Sequence, residues 1–121
     1  MSKILVADDS QVFLDLLVHT LEDHGYTDIS TAKDGKEALD FAQEIDFDII
    51  LTDLHMPRMD GVDIISLLRT MPKYENIPIL LITTEDQQDM KVKAKNVGAT
   101  GWISKPFIPA QLIKAINYCL K

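Results

Sequence analysis

Apolar and polar positions along this chain switch period repeatedly, from unbroken runs to helical spacing and back. Ile4–Ala7 is continuous and apolar, whereas Val12, Phe13, Leu16, Leu17, Thr20 and Leu21 recur at three and four residues, the spacing of one helix face. His24-Gly25 closes that helix, because glycine is the usual residue past a helix C-terminus. Asp28–Lys33 alternates weakly, with Ile29 and Thr31 on one face and Ser30 and Ala32 on the other. Asp34 is placed to cap a second helix holding Ala38, Leu39, Ala42 and Ile45. The run Ile49–Thr52 follows, then a loop with Pro57 and Gly61. A third helix carries Val62, Ile65, Leu68 and Met71 and stops before Pro72. The fourth run, Ile79–Ile82, ends on Thr83, and a helix from about Glu85 to Val97 ends at Gly98. Trp102–Ser104 makes a short fifth strand before Lys105-Pro106, and Leu112, Ile113, Ile116, Cys119 and Leu120 mark the last helix.

Strand-like and helix-like segments alternating in this way specify an α/β fold, a five-stranded parallel sheet with helices on both faces. Strands buried on both faces read as unbroken apolar runs, and the first, third and fourth segments do so. The second and fifth hold more polar residues and belong at the edges. Right-handed crossovers then favour the strand order 2-1-3-4-5. No repeat, low-complexity tract or linker interrupts the pattern, so residues 1–121 read as a single domain.

Composition narrows the setting. At 121 residues, with 46% hydrophobic content, the chain can bury about two-thirds of its unfolded surface. A net charge of −7 counts against general nucleic-acid binding, which depends on excess Lys and Arg. Cys119 stands alone, which excludes an internal disulfide and fits a reducing compartment. No apolar run approaches the roughly 20 residues of a membrane helix. Met1-Ser2-Lys3 leads straight into a strand with no signal-peptide pattern. The expected location is the cytoplasm, without membrane insertion.

Charged residues stand where the strands end. Asp8-Asp9 follows the first run, Asp53 the third, Thr83 closes the fourth and Lys105 follows the fifth. In a doubly wound sheet ligands bind beyond the carboxyl ends of the strands where the order reverses, here between strands 1 and 3. Three carboxylates there repel one another, at about 4 kcal/mol per pair for a separation of ~4 Å and an effective dielectric of about 20. A cation relieves that cost, and an all-oxygen ligand set points to Mg²⁺ or a relative such as Mn²⁺. Read alone, Asp8-Asp9 could equally serve local structure, with Asp9 or Ser10 capping the first helix. A carboxylate beside a metal can attack phosphorus to give an aspartyl phosphate, and Asp53, followed by the Met56-Pro57 loop, is the candidate. Phosphoryl transfer needs positioning and charge neutralisation, for which Lys105 offers a mobile point charge and Thr83 a hydroxyl donor.

With these parts in order, the chain resembles the receiver domain of two-component response regulators over its whole length, closest to the single-domain chemotaxis (CheY-like) type. The resemblance is carried by Asp8-Asp9, by Asp53 with Met56-Pro57 and Asp60-Gly61, by Thr83-Thr84-Glu85, and by Lys105-Pro106-Phe107. It implies that Asp53 takes a phosphoryl group from a sensor kinase phosphohistidine. It also implies that Asp8, Asp9, Asp53 and the backbone carbonyl of His55 surround Mg²⁺. Thr83 and the Thr84 amide would bind phosphoryl oxygens, and Lys105 would pair with Asp53 or its phosphate. A cis peptide at Lys105-Pro106 is likewise implied.

The resemblance further implies a switch, in which Thr83 shifts toward the phosphoryl group and an aromatic residue on strand 5 follows. That residue is Trp102, where tyrosine or phenylalanine is usual, and the larger indole either hinders inward rotation or favours the inward state at rest. His55 and Glu85, two residues past Asp53 and Thr83, would tune dephosphorylation, while His19 and His24 receive no role. No second domain is expected after Lys121, so output passes through the surface of helix 4, strand 5 and helix 5 to a downstream motor or signalling protein. Lys91, Lys93, Lys95 and Lys114 gather positive charge there, as a steering patch or as solvated helix faces. The expected state is a monomeric signalling switch, not an enzyme acting on other substrates. A phosphate sink or relay intermediate without its own effector is the alternative. An FMN carrier would want hydroxyls and glycines after strand 1, and a haloacid-dehalogenase-type phosphatase would want its nucleophile there, so both are disfavoured.

Overall fold

The computed structural model describes residues 2–121. In chain order these form β1 (Lys3–Ala7), α1 (Gln11–Asp23), β2 (Asp28–Ala32), α2 (Gly35–Glu44), β3 (Ile49–Thr52) and α3 (Gly61–Leu68), then a 3-10 turn at Pro72–Tyr74. They continue with β4 (Ile79–Thr83), α4 (Gln88–Asn96), β5 (Gly101–Ser104) and α5 (Pro109–Cys119). All strand pairs are parallel and the order is β2-β1-β3-β4-β5. The three unbroken apolar runs therefore occupy the middle of the sheet, as their composition requires.

Alternation along the strands divides the core in two. Leu5, Ala7, Ile50, Ile79 and Leu81 face one way and pack with buried residues of α2, α3 and α4, including Ala38, Ala42, Ile64, Ile65, Leu68 and Ala94. Ile4, Val6, Ile49, Leu51, Leu80 and Ile82 face the other way, against Leu14, Leu17 and Leu21 of α1 and Leu112, Ile113 and Ile116 of α5. Each of these Leu, Ile and Val side chains taken fully out of water contributes roughly 1.5–3 kcal/mol. No helix among the described residues is long and apolar enough to cross a membrane.

Local signals set most boundaries. Asp34 caps α2 by accepting a hydrogen bond from the Glu37 amide at 2.8 Å, and the Glu37 side chain accepts from the Lys33 amide just before the cap at 3.1 Å. Of the two caps considered for α1, Ser10 is the one formed: its Oγ accepts from the Phe13 amide at 3.3 Å. Two expected boundaries differ. The third helix ends at Leu68, before Met71, and the chain makes the Pro72–Tyr74 turn, where the buried Tyr74 hydroxyl donates toward the carbonyls of Ala42 and Ile45. The fourth helix starts at Gln88, not near Glu85, because the Glu85 carboxylate accepts from the Gln87 amide at 3.1 Å and holds these residues in a turn.

Gly61 brings α3 against the sheet. A Cβ there would lie 2.6 Å from the Asp53 carbonyl oxygen and 2.9 Å from Leu54 Cα, both rigid backbone. Its amide donates to the Leu54 carbonyl at 2.7 Å, so the helix start is fastened directly to the segment carrying Asp53. Gly61→Ala is expected to cost about 1–3 kcal/mol or more of stability, read as a drop in the thermal midpoint. An unchanged midpoint would show that α3 can lift away freely.

Candidate functional site

The parallel ladders continue one residue past the strands and carry the charged groups to one rim. The Asp8 amide donates to the Ala32 carbonyl at 3.0 Å, the Asp53 amide to the Ala7 carbonyl at 2.9 Å, and the Lys105 amide to the Thr83 carbonyl at 2.9 Å. The backbone of each residue is therefore fixed by the strand beside it. Asp8 and Asp53 are buried, Asp9 is exposed, and one carboxylate oxygen from each lies within 4.8 Å of the others. Three hard anionic oxygens so close suit a small divalent cation.

Lys105 reaches into this cluster from the end of β5. Its Nζ lies 2.6 Å from Asp8 Oδ2 and 3.1 Å from Asp53 Oδ2, with the lysine side chain only 15% exposed. The expected pairing with Asp53 is present, but the shorter contact goes to Asp8. The peptide joining Lys105 to Pro106 is cis. Burial pushes the Asp8 carboxyl above its usual range, and the neighbouring Asp53 charge adds to this, while hydrogen bonds from Lys105 and the Ser10 amide oppose it without cancelling it. Burial alone would lower the Lys105 ammonium, yet its hydrogen bonds to Asp8 and Asp53 and their charges carry it above its ordinary value.

The two oxygens of Asp53 have different surroundings. Oδ2 faces the ammonium, and Oδ1 accepts from the Leu54 amide at 2.7 Å, with the His55 amide at 3.4 Å. Thr83 is fully buried at the end of β4, and its Oγ1 accepts from the Glu85 amide at 3.2 Å. Thr84 is exposed and lines a cavity of about 340 Å³ with Phe13, Lys105 and Phe107. Across the rim, His55 Nε2 lies 2.9 Å from Glu85 Oε1, joining the loop after β3 to the loop after β4. The Gln87 amide and then His55 hold the Glu85 carboxyl below its usual range.

Trp102 sits one strand away from this cluster, in register with Leu81, half-buried against the α4 side of the core. Its indole Nε1 is buried without a hydrogen-bond partner among the described residues, and Lys91 Nζ lies 5.6 Å from the ring centroid. The lysines read as one patch are divided: Lys91 and Lys95 line a groove with Trp102, and Lys114 lines another with Tyr118 on α5. Two features escaped the reading of the sequence. The His55–Glu85 contact joins residues 30 apart, and no local pattern announces it. Phe13 packs against the α1 and α5 side of the core as its spacing predicts, and its ring centroid also lies 4.0 Å from Lys105 Nζ, a contact the sequence reading did not anticipate. An aromatic residue within a turn of the acidic pair was the available signal.

Known proteins share this family and fold. The family model described as "Response regulator receiver domain" matches residues 4–117. The chemotaxis protein CheY of Pseudomonas aeruginosa is 34% identical over 112 residues, covering 93% of this chain and 90% of that protein. The crystal structure of CheY4 from Vibrio cholerae superposes with a TM-score of 0.94 at 43% identity, covering 99% of each chain. The alkaline phosphatase synthesis transcriptional regulatory protein PhoP of Bacillus subtilis is 38% identical over 117 residues, but these make up 48% of its length.

Because the folded-state pKa of Asp8 lies above its ordinary value, its ionisation costs the folded state stability. That cost is present at neutral pH and is relieved as the pH falls through the raised value toward the unfolded one. In EDTA at neutral pH, Asp8→Asn should therefore melt above the wild type. A lower midpoint would mean that the Lys105 contact outweighs burial and Asp53 repulsion.

Proposed function

The chain belongs to the response regulator receiver domain family, and on that premise we propose that Asp53 accepts a phosphoryl group from the phosphohistidine of a sensor kinase. The observation that carries the assignment is the Lys105 ammonium bonded to Asp53 inside a cluster of three carboxylates. A carboxylate oxygen of Asp53 forms the bond to phosphorus while the bond to the imidazole nitrogen breaks, and the electron pair returns to the departing ring. Mg²⁺ or Mn²⁺, held by Asp8, Asp9, Asp53 and the His55 carbonyl, would supply neutralising charge for the phosphoryl oxygens. Lys105 exchanges its contact with Asp53 for a phosphoryl oxygen, and the Thr83 hydroxyl and Thr84 amide bind the others. His55 and Glu85, in contact across the rim, control how water reaches the acyl phosphate and so set its lifetime. The only chemistry proposed for the domain, residues 1–121, is its own phosphorylation and dephosphorylation.

The Thr83 hydroxyl accepts from the Glu85 amide and keeps its proton for a phosphoryl oxygen, and a shift toward that oxygen stretches the bond from Glu85 and loosens the loop before α4. Space then opens for Trp102, whose unpartnered indole nitrogen leaves it without a polar anchor in its resting position. The changed surface of α4, β5 and α5 binds a downstream signalling or motor protein. Relatives named as chemotaxis proteins, matched over most of their length, favour this switch over a phosphate sink. We place the protein in the cytoplasm, as a monomer that binds no nucleic acid.

Incubation with Mg²⁺ and acetyl phosphate should add one phosphoryl unit of mass to the wild type and none to Asp53→Asn. Labelling of both proteins would remove Asp53 from the mechanism. Trp102 is the single tryptophan, so its fluorescence reports one site. Beryllofluoride with Mg²⁺ should shift its emission to the blue as the ring moves inward, and unchanged emission would uncouple Trp102 from the switch.

A further inference from the structure

The environment of the Lys105 ammonium is only partly polar. Two of its neighbours are carboxylate oxygens, at 2.6 and 3.1 Å, and the third is the Phe13 ring, with its centroid at 4.0 Å. That ring is oriented in turn, since Phe107 meets it edge-to-face at 5.7 Å between centroids and 86° between planes. Phe107 follows Lys105 by two residues, so the segment that delivers the lysine also sets the ring that receives it. Phe13 comes from α1, whose start is fixed by the Ser10 cap on the Phe13 amide itself. Phe13, Lys105, Pro106 and Phe107, with Leu16 and Pro109, wall the cavity beside the acidic cluster.

We propose that Phe13 is a positioning residue for phosphoryl transfer: its ring face holds the Lys105 ammonium at the mouth of the acidic cluster through a cation–π contact. The inference rests on the phosphoacceptor reading of Asp53 given above. Its physical basis is the difference between a ring face and a carboxylate as a partner. A carboxylate fixes an ammonium at one oxygen by directional hydrogen bonds, so the lysine must break them to follow an incoming charge. The negative face of a ring attracts the ammonium through its quadrupole and names no single bonding direction. Lys105 can therefore slide from Asp53 Oδ2 to a phosphoryl oxygen while keeping its attraction to Phe13. An aliphatic residue at position 13 would fill similar space and pack against Phe107, yet offer the ammonium nothing.

Packing and quadrupole are separable by fluorination, which keeps the ring's shape and drains its face of negative charge. Chains carrying phenylalanine, 3,5-difluorophenylalanine or pentafluorophenylalanine at position 13 would be mixed with Mg²⁺ and acetyl phosphate. The rate of acyl phosphate formation and the affinity for beryllofluoride, read by Trp102 emission, would both be followed. Both should fall stepwise along the series, and for Phe13→Leu the rate should fall between about twofold and thirtyfold, the range of such contacts from exposed to desolvated sites. Thermal midpoints of the fluorinated chains should stay close to the parent, which keeps the series informative even if Phe13→Leu folds poorly. Equal rates and affinities across the fluorinated chains would overturn the inference and leave Phe13 as packing. A parent chain that takes up no phosphoryl group would overturn the phosphoacceptor reading itself, and this inference with it.

Discussion

One ammonium group shared between two carboxylates from neighbouring strands is the contact on which the site depends. Asp8 and Asp53 project from β1 and β3, adjacent in the sheet, and their charges would repel across a few ångströms of buried space. At ~4 Å and an effective dielectric of about 20, that repulsion is about 4 kcal/mol, a large part of a small domain's net stability. Lys105, from the end of β5, offsets it from above, with its charge favoured by both acids. Asp8 nevertheless stays harder to ionise than an ordinary aspartate. Three carboxylates meet one ammonium, so the cluster keeps negative charge that suits it to a cation and, through that cation, to a phosphoryl group.

The rest of the fold holds these charges in place. Ladder hydrogen bonds run one residue beyond each strand, so Asp8, Asp53 and Lys105 stand on fixed backbone. Gly61 lets α3 close against the carbonyl of Asp53, and the amides of Leu54 and His55 turn one carboxylate oxygen into the loop. The other oxygen is left to Lys105. The same segments carry the parts that can respond: Thr83 is tied to the Glu85 amide, and Glu85 contacts His55. The surroundings of Asp53 are therefore linked through Thr83 and His55 to the loop before α4.

Much of this was legible in the residues. The apolar runs at 4–7, 49–52 and 79–82 belong in the centre because both of their faces are apolar, and right-handed crossovers then favour the sheet order that the structure has. The order placed Asp8, Asp9, Asp53 and Lys105 on one rim, where the structure has them together. What could not be read depends on side chains that meet from distant segments. Residues 85–87 have the polar composition of a helix start, but the Glu85 carboxylate bonds the Gln87 amide and meets His55, so α4 begins later. Phe13 packs on the core face of α1 as its spacing predicts, and periodicity cannot show that the same ring also meets an ammonium. Lys105 was placed correctly at the rim, while its closer approach to Asp8 follows from geometry that spacing does not encode.

The claim at the centre is chemical: a mixed anhydride forms at the Asp53 carboxyl. Borohydride reduces an acyl phosphate to an alcohol, leaving homoserine in place of the aspartate, whereas phosphoesters of serine, threonine or tyrosine resist it. Peptide sequencing of the protein reduced after phosphorylation should find homoserine at position 53 and unmodified aspartate at 8 and 9. Homoserine at another position, or a phosphoryl group that survives reduction, would contradict the account.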